Sequence, residues 1–246
     1  MRNIKVCISY HGGAYHGFQR QKNAVTVQQT IEEALAKILG ESVGINGCSR
    51  TDTGVHAREF YFNFLTGLPI PCGGLKAGMN ALLPDDIAVL SCAEAEEGFH
   101  ARYCAKGKEY VYLVKNTPHR DVFSQKLALH YPKKLDEQRI DRAAKLFIGE
   151  HDFSAFCKAE AKTHLKSTVR TVYDFRVERN GNDVTFVVSG NGFLHNMVRI
   201  MVGTLLYINE GKRTEADLIR SLQAGERSDA GKTISPCGLY LNKVYY

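Results

Sequence analysis

Residues that can act as a nucleophile and as its charged partner are concentrated in the run R-T-D-T-G-V-H-A at residues 50–57. In an extended segment the side chains at i and i+2 point to the same side, so we expect Arg50 to bind the Asp52 carboxylate in a charge-assisted hydrogen bond. A neighbouring cation favours the ionised carboxylate, which is the nucleophilic form. Gly54 permits a sharp turn directly after the acid. The spacing suggests a catalytic aspartate, although most Arg-x-Asp pairs are surface pairs of little energetic weight.

A second group of candidate residues lies on an expected strand, where Lys108, Tyr110 and Tyr112 share one face. A tyrosine can stack on a base or transfer a proton. The alternative is that both tyrosines are half-buried core residues.

Two further segments carry polar groups in unusual surroundings. The loop after Phe156 is basic and suits phosphate contacts, or is simply solvated; its basic residues are Lys158, Lys162, His164, Lys166 and Arg170. The helix expected at Phe193–Asn209 is apolar nearly all round and should be buried, yet it carries Asn196 and Arg199. A buried arginine requires either a structural partner or a ligand.

The composition is that of an ordinary globular protein of 246 residues, with 44% hydrophobic and 24% charged residues. The formal net charge of +6 is compatible with a polyanionic partner such as nucleic acid, although many basic proteins bind none. No run is long and apolar enough to span a membrane, and Met1–Lys5 shows no signal-peptide pattern. With 7 scattered cysteines and no C-x-x-C, we expect free thiols, no metal site and a cytoplasmic location.

The elements that must position these residues follow the order β-α-β-β-α-β twice. Expected strands of the first half cover 4–10, 43–48, 60–65 and 87–91. One helix is expected to start at Thr26, with Gln29 completing a capping box, and a second at 74–83. Expected strands of the second half cover 108–114, 124–131, 169–177, 184–189 and 239–244, with a hairpin turn at Gly181 and Asn182. Helices are expected after Asp136, at 193–209 and after Thr214, which forms a capping box with Asp217. This order predicts an α+β fold with two ferredoxin-like halves, 1–103 and 104–246. We expect them to form one mixed, mainly antiparallel sheet with helices on one face and a central active-site cleft.

Five blocks of the chain, in order, resemble the tRNA pseudouridine synthase A family. Residues 50–57 match its G-R-T-D-x-G-V-H-A signature, except that Ser49 stands where the family has glycine. The other blocks are the loop at 10–21, F-H-A-R at 99–102 with the tyrosines that follow, the helix start at 191–199, and G-L-Y-L at 238–241.

The resemblance implies an isomerase that converts uridine to pseudouridine at positions 38 to 40 of the tRNA anticodon arm. Asp52 would attack the uridine, and Arg50 and Arg199 would pair with the Asp52 carboxylate. Tyr110 would lie against the uracil ring. We also expect a set of substrate-binding residues; these are Tyr110, Leu239, His56, Gln19 and Lys158. The family implies a homodimer that grips tRNA across both subunits, with no cofactor, no metal, no membrane and no DNA.

Two other functions fit parts of the sequence. D-T-G at residues 52–54 is also the motif of aspartic proteases, but those enzymes are all-β, whereas this chain alternates helices with strands. A catalytically idle RNA-binding module would also suit a ferredoxin-like order. Loss of Asp52, Arg50 or Tyr110 would favour that module, and all three are present.

Overall fold

The structure, a computed structural model, describes residues 1–158 and 166–246. They fall into two compact units, residues 1–106 with 240–246, and residues 107–239. The last strand thus belongs to the first unit, apart from its opening residue, Leu239. The halves 1–103 and 104–246 stay a prediction about domains, because compactness alone does not define a functional domain.

A mixed sheet with two helices makes up the first unit. Its elements are β1 (Arg2–Tyr10), α1 (Val27–Leu39), β2 (Asn46–Gly47), β3 (His56–Thr66), α2 (Cys72–Leu82), β4 (Ile87–Ala95) and most of β10 (Leu239–Tyr245). β1 is flanked by β4 and β3, both antiparallel to it. β2 pairs with β3 antiparallel, and β10 pairs with β3 parallel.

The core of the first unit lies on one face of this sheet. Along β3, Phe60, Phe62 and Phe64 are fully buried opposite Ile8, Val6 and Ile4 of β1. Burying each such side chain contributes about 1.5–3 kcal/mol. α1 buries Val27, Ile31 and Leu35 at the helical spacing that the sequence predicts.

The ends of α1 explain where it begins and stops. Thr26 accepts a hydrogen bond from the Gln29 N–H at 3.3 Å, which satisfies one of the free amides of the first turn. The reciprocal hydrogen bond of the expected capping box, from the Thr26 N–H to the Gln29 side chain, does not form, and the Gln29 side-chain amide donates to Glu33. Gly40 ends the helix with a φ of 71°, a left-handed conformation that glycine adopts without strain.

The second unit also combines a mixed sheet with helices. Its elements are β5 (Gly107–Lys115), β6 (Leu129–His130), α3 (Glu137–Lys145), β7 (Gly149–Asp152), β8 (Val169–Asn180), β9 (Asp183–Gly190), α4 (Met197–Asn209) and α5 (Glu215–Ala224). β5, β9, β8 and β7 follow one another as antiparallel neighbours, and β6 pairs with β5 parallel. Gly181, with a φ of 58°, forms the expected hairpin turn between β8 and β9.

Both units confirm the α+β class and the mixed β-structure. The expected strand at 43–48 is only Asn46–Gly47, and the expected segment at 124–131 is reduced to Leu129–His130. The four-residue strand β7 was not expected. These strands are too short to show a period of two, so their pairing depends on neighbours that are distant in sequence.

Candidate active site

Asp52 occupies the first position of a tight turn that leads into β3. The Val55 N–H donates to the Asp52 carbonyl at 3.1 Å, and Gly54, with a φ of 78°, takes the third position. This pattern is a type II turn, which requires a residue that tolerates positive φ at that point. The Asp52 side chain is half-buried. Gly54 therefore fixes the direction in which the chain leaves the acid.

The glycine-rich loop after β1, residues 11–21, packs directly against the backbone of the Asp52 turn. A Cβ atom at Gly17 would lie 2.5 Å from the Thr51 carbonyl oxygen, and one at Gly12 would lie 1.9 Å from the Val55 carbonyl oxygen. Only glycine permits this approach. The backbone of the two segments is also joined, since the Phe18 N–H donates to Thr51 and the Gly54 N–H donates to Tyr15. In the sequence this loop is one of the blocks that resemble the family, but no sequence pattern predicts its contact with the Asp52 turn.

Two tyrosines anchor the same region from the core. The Tyr10 hydroxyl lies 2.8 Å from Thr51 Oγ1, next to Asp52 in the chain. The Tyr15 hydroxyl donates to Asp86 at 2.6 Å. Burial, together with the Asp86 carboxylate, raises the pKa of Tyr15, so this hydroxyl remains a donor over the whole working pH range.

His56 supports the turn from behind. Only 1% of the residue is exposed, and its Nδ1 accepts a hydrogen bond from the Gly12 N–H at 3.1 Å. Its ring stacks on Tyr240 of β10 at 4.6 Å between centroids and lies 4.5 Å from the His11 ring. A ring enclosed in this way is not accessible to RNA, so this geometry favours a positioning role over the substrate contact that we expected.

The expected ion pair between Arg50 and Asp52 is absent from the described part of the chain. Residues 49–52 are irregular rather than extended in a strand, so the alternation of side chains on which that pairing depended does not apply. The Arg50 side chain is exposed. It is therefore accessible to a ligand rather than committed to the aspartate.

Two other expected substrate contacts are on the surface. Gln19, in the glycine-rich loop, and Lys158, in the basic loop, are both exposed. Lys162 and His164 lie outside the described residues. Arg170, which we expected in the same loop, lies in β8; it donates to the Ser167 and Val169 carbonyls, and burial lowers its pKa.

Tyr110 lies in β5 of the second unit, where it pairs with Val188 of β9. Its ring is 6% exposed and meets Phe193 edge-on, with centroids 5.1 Å apart. Tyr112 is fully buried and donates to the Ser235 carbonyl at 2.7 Å, and burial raises its pKa. Of the two, Tyr112 has the role of a core residue. Leu239, at the start of β10, is also buried.

Arg199 lies in the first turn of α4, where the sequence predicts a helix buried nearly all round. Its Nη1 donates to Asn196 Oδ1 at 2.7 Å, and its Nε donates to the Ile234 carbonyl at 2.8 Å. A planar guanidinium held at two points has a fixed orientation. This half-buried arginine therefore has structural partners, one of the two possibilities that the sequence left open.

Asn196 has a structural property that the sequence did not reveal. Its backbone is left-handed, with a φ of 66°, and the helix therefore begins at Met197 rather than at Phe193. Asparagine tolerates this conformation better than most residues do. Its side chain is then directed to Arg199 rather than to a backbone amide of the helix.

Within the described residues there is no cluster of His, Cys, Asp or Glu side chains that could hold a metal ion, and all 7 cysteines are free. The described helices include none with the length and apolar character of a membrane span.

Comparison with known proteins identifies the family. A family model described as tRNA pseudouridine synthase matches residues 143–246. Relatives named tRNA pseudouridine synthase A are similar over their whole length: the one from Ruminiclostridium cellulolyticum is 46% identical, and the one from Acetivibrio thermocellus is 44% identical, with 100% of both chains covered. The chain belongs to the tRNA pseudouridine synthase A family, whose members are isomerases.

A further relative, from Clostridium perfringens, is named tRNA pseudouridine synthase A 2 and is 42% identical over 100% of both chains.

Proposed function

We propose that this chain isomerises uridine to pseudouridine in the anticodon stem-loop of tRNA, at positions 38 to 40, with Asp52 as the nucleophile. The observation that supports this role is the Asp52 turn, whose backbone is held by the glycine-rich loop while its side chain remains half-exposed. The similarity to the named synthases supports the type of reaction and the substrate.

The reaction needs few groups. The bond between N1 of uracil and C1′ of the ribose breaks, the base turns, and C5 bonds to C1′ while the C5 proton leaves and N1 gains one. No atom is gained or lost overall. An ionised carboxylate can begin this by attack on C6 of the base or on C1′ of the sugar. The base must leave the helical stack before either atom can be reached.

The other residues have supporting roles in this proposal. Arg50, exposed beside Asp52 in the chain, binds the displaced nucleotide, and Arg199 favours the ionised form of the carboxylate. Tyr110 and Leu239 contact the uracil, and Gln19 and Lys158 contact the RNA backbone. His56 positions the Asp52 turn through Gly12 and Tyr240.

Three broader features remain part of the proposal. We place the enzyme in the cytoplasm, where seven free thiols stay reduced. We expect a homodimer that binds the anticodon arm. A ferredoxin-like origin of the units is supported by the first unit, where β4, β1, β3 and β2 are neighbours in that order.

The decisive test replaces Asp52 by Ala and by Asn. Release of tritium from tRNA labelled at C5 of uridine measures turnover directly, because C5 loses its hydrogen in the product. We expect turnover to fall by about 10⁴-fold or more in both variants, with the Kd for tRNA within about threefold of the parent value.

The matched control is Asp85→Asn, an exposed carboxylate in the loop before β4 of the same unit, which should keep full activity. Normal turnover by Asp52→Ala would exclude the proposed mechanism. A parent protein that binds tRNA but releases no tritium would point instead to the idle RNA-binding module.

A further inference from the structure

The F-H-A-R motif has no role in the mechanism described so far, yet it forms an unusual surface feature. Residues Phe99–Cys104, called here the aromatic turn, carry Tyr103 with 76% of the residue exposed. The neighbouring Arg102 and Cys104 are exposed as well. A large aromatic ring that projects into solvent contributes little to the stability of the fold.

The turn nevertheless has a defined internal structure. The Cys104 N–H donates to the His100 carbonyl at 3.0 Å, and the Arg102 N–H donates to His100 Nδ1 at 3.1 Å. The imidazole of His100 then lies against the ring of Tyr103, with centroids 4.3 Å apart. Tyr103 is therefore supported on one side by a ring that the backbone itself fixes.

A buried polar network holds the base of the turn. Asn3 of β1 donates to the Phe99 carbonyl at 2.8 Å, and Asn63 of β3 accepts from the Ala101 N–H at 2.9 Å. The Tyr246 hydroxyl donates to the Ala101 carbonyl at 2.8 Å. Both asparagines are buried, and burying an amide is costly unless its hydrogen bonds are satisfied. These side chains fix the path of the backbone on which Tyr103 is carried.

A lysine beneath the turn adds to this rigidity. The Lys5 ammonium lies 4.8 Å from the centroid of Phe99, 4.8 Å from that of Tyr61 and 4.0 Å from that of Tyr246. Each of these cation–π contacts favours one position of the ring concerned. Phe99 is thereby held in place, and the exposed ring four residues later has a rigid foundation.

The groups that surround Tyr103 define what it can bind. The Arg102 guanidinium carbon lies 5.8 Å from the Tyr103 ring centroid. From Phe99 to Lys108 every charged residue is basic, while Glu96 and Glu97 come before the turn. An aromatic face beside a guanidinium group is an arrangement by which proteins bind unpaired nucleotides: the ring stacks on the base and the cation meets a phosphate.

We propose that the aromatic turn is a stacking platform for an unpaired base of the RNA substrate, distinct from the uridine that reacts. Tyr103 supplies the stacking face, Arg102 contacts the adjacent phosphate, and His100 acts as a positioning residue behind the ring. This inference rests on the proposed function only in so far as the substrate is RNA.

A fluorescence experiment tests the contact directly. The chain has no tryptophan, so Tyr103→Trp introduces a single emitter at the platform. We expect its emission to be quenched when tRNA is added, because a stacked base quenches indole. The matched control is Phe123→Trp, at a residue of the second unit that is 91% exposed, and it should respond much less. No quenching at position 103, or equal quenching at both positions, would overturn the proposal.

A second pair of variants measures the energetic weight of the ring. Tyr103→Ala should weaken tRNA binding by about 5- to 150-fold and raise KM similarly, with kcat nearly unchanged. Tyr103→Phe keeps the stacking face and should bind within about twofold of the parent. Unchanged affinity in Tyr103→Ala would refute the platform. Because the fluorescence change and the Kd for tRNA report binding alone, they would still succeed if the parent enzyme made no pseudouridine, which separates this proposal from the catalytic one.

Discussion

At the scale of single residues, two glycines determine the position of the backbone around Asp52. Arg50 does not form the expected pair, whereas Gly17 and Gly12 let the preceding loop approach the Asp52 turn to distances that no side chain would permit. The backbone that carries Asp52 is therefore held by the preceding loop. Arg50 remains exposed, which agrees with the proposed contact to the displaced nucleotide.

The Gly17→Ala substitution should damage the site as well as the fold. Its φ is 84°, and the new methyl group would meet the Thr51 carbonyl oxygen at 2.5 Å, so the Asp52 segment must shift. We expect unfolding in urea to show a loss of about 2–4 kcal/mol, from left-handed strain together with the overlap. We expect kcat to fall by at least about tenfold, because a misplaced reactive group is costly.

Gly40→Ala is the matched control for this prediction. Gly40 also has a positive φ, 71°, but a Cβ atom there would have no atom within 4 Å among its described surroundings. The variant should lose about 1 kcal/mol of stability and keep its kcat. Equal losses of kcat in the two variants would mean that the effect comes from stability alone.

At the scale of elements, the start of α4 determines how Arg199 is presented. The left-handed Asn196 delays the helix by four residues relative to the sequence expectation and places its Oδ1 within reach of Nη1. The second contact of Arg199 is made by the segment around Lys232, which packs closely on α4: a Cβ atom at Gly203 of α4 would lie 2.0 Å from the Lys232 carbonyl oxygen. Ile234 in this segment supplies the carbonyl that binds Arg199 Nε.

The Asn196→Gly substitution should separate this orienting role from helix stability. Glycine accepts the positive φ but removes the Oδ1 acceptor, so the guanidinium loses one of its hydrogen bonds. We expect kcat/KM to fall by about tenfold, the size expected for one hydrogen bond to a charged group, with stability changed by less than about 1 kcal/mol. Asn196→Asp, which retains an oxygen acceptor, should recover most of the activity.

Thr214→Ala provides the comparison at another helix of the same unit. Thr214 and Asp217 form the full capping box that the sequence predicts for α5. Its removal should cost about 1 kcal/mol of stability and leave kcat/KM unchanged. A similar drop in activity for Asn196→Gly and Thr214→Ala would show that α4 acts only as a structural support.

At the scale of the whole molecule, patterns local in sequence predicted most of the fold. α1, β3 and the capping box of α5 follow from apolar spacing and end signals within a dozen residues. The sequence did not predict β7 or the left-handed Asn196, because neither has a local signature. For the site, the motifs at 50–57 and 191–199 pointed to Asp52 and Arg199. They did not predict the burial of His56, which depends on Gly12 and Tyr240, two residues that are distant in sequence.

The net charge of +6 sets the last expectation, which concerns the response of the whole molecule to salt. If RNA phosphates are bound by lysine and arginine, the logarithm of the tRNA association constant should fall linearly with the logarithm of salt concentration, with a slope of about −3 or steeper.

Lys158→Gln, in the basic loop, should weaken binding and reduce the magnitude of the slope by about 1. Lys37→Gln, an exposed residue in the last turn of α1, removes the same charge and should leave the slope unchanged. Identical changes in both variants would mean that only overall charge matters, and a flat response in the parent protein would contradict phosphate binding by this basic surface.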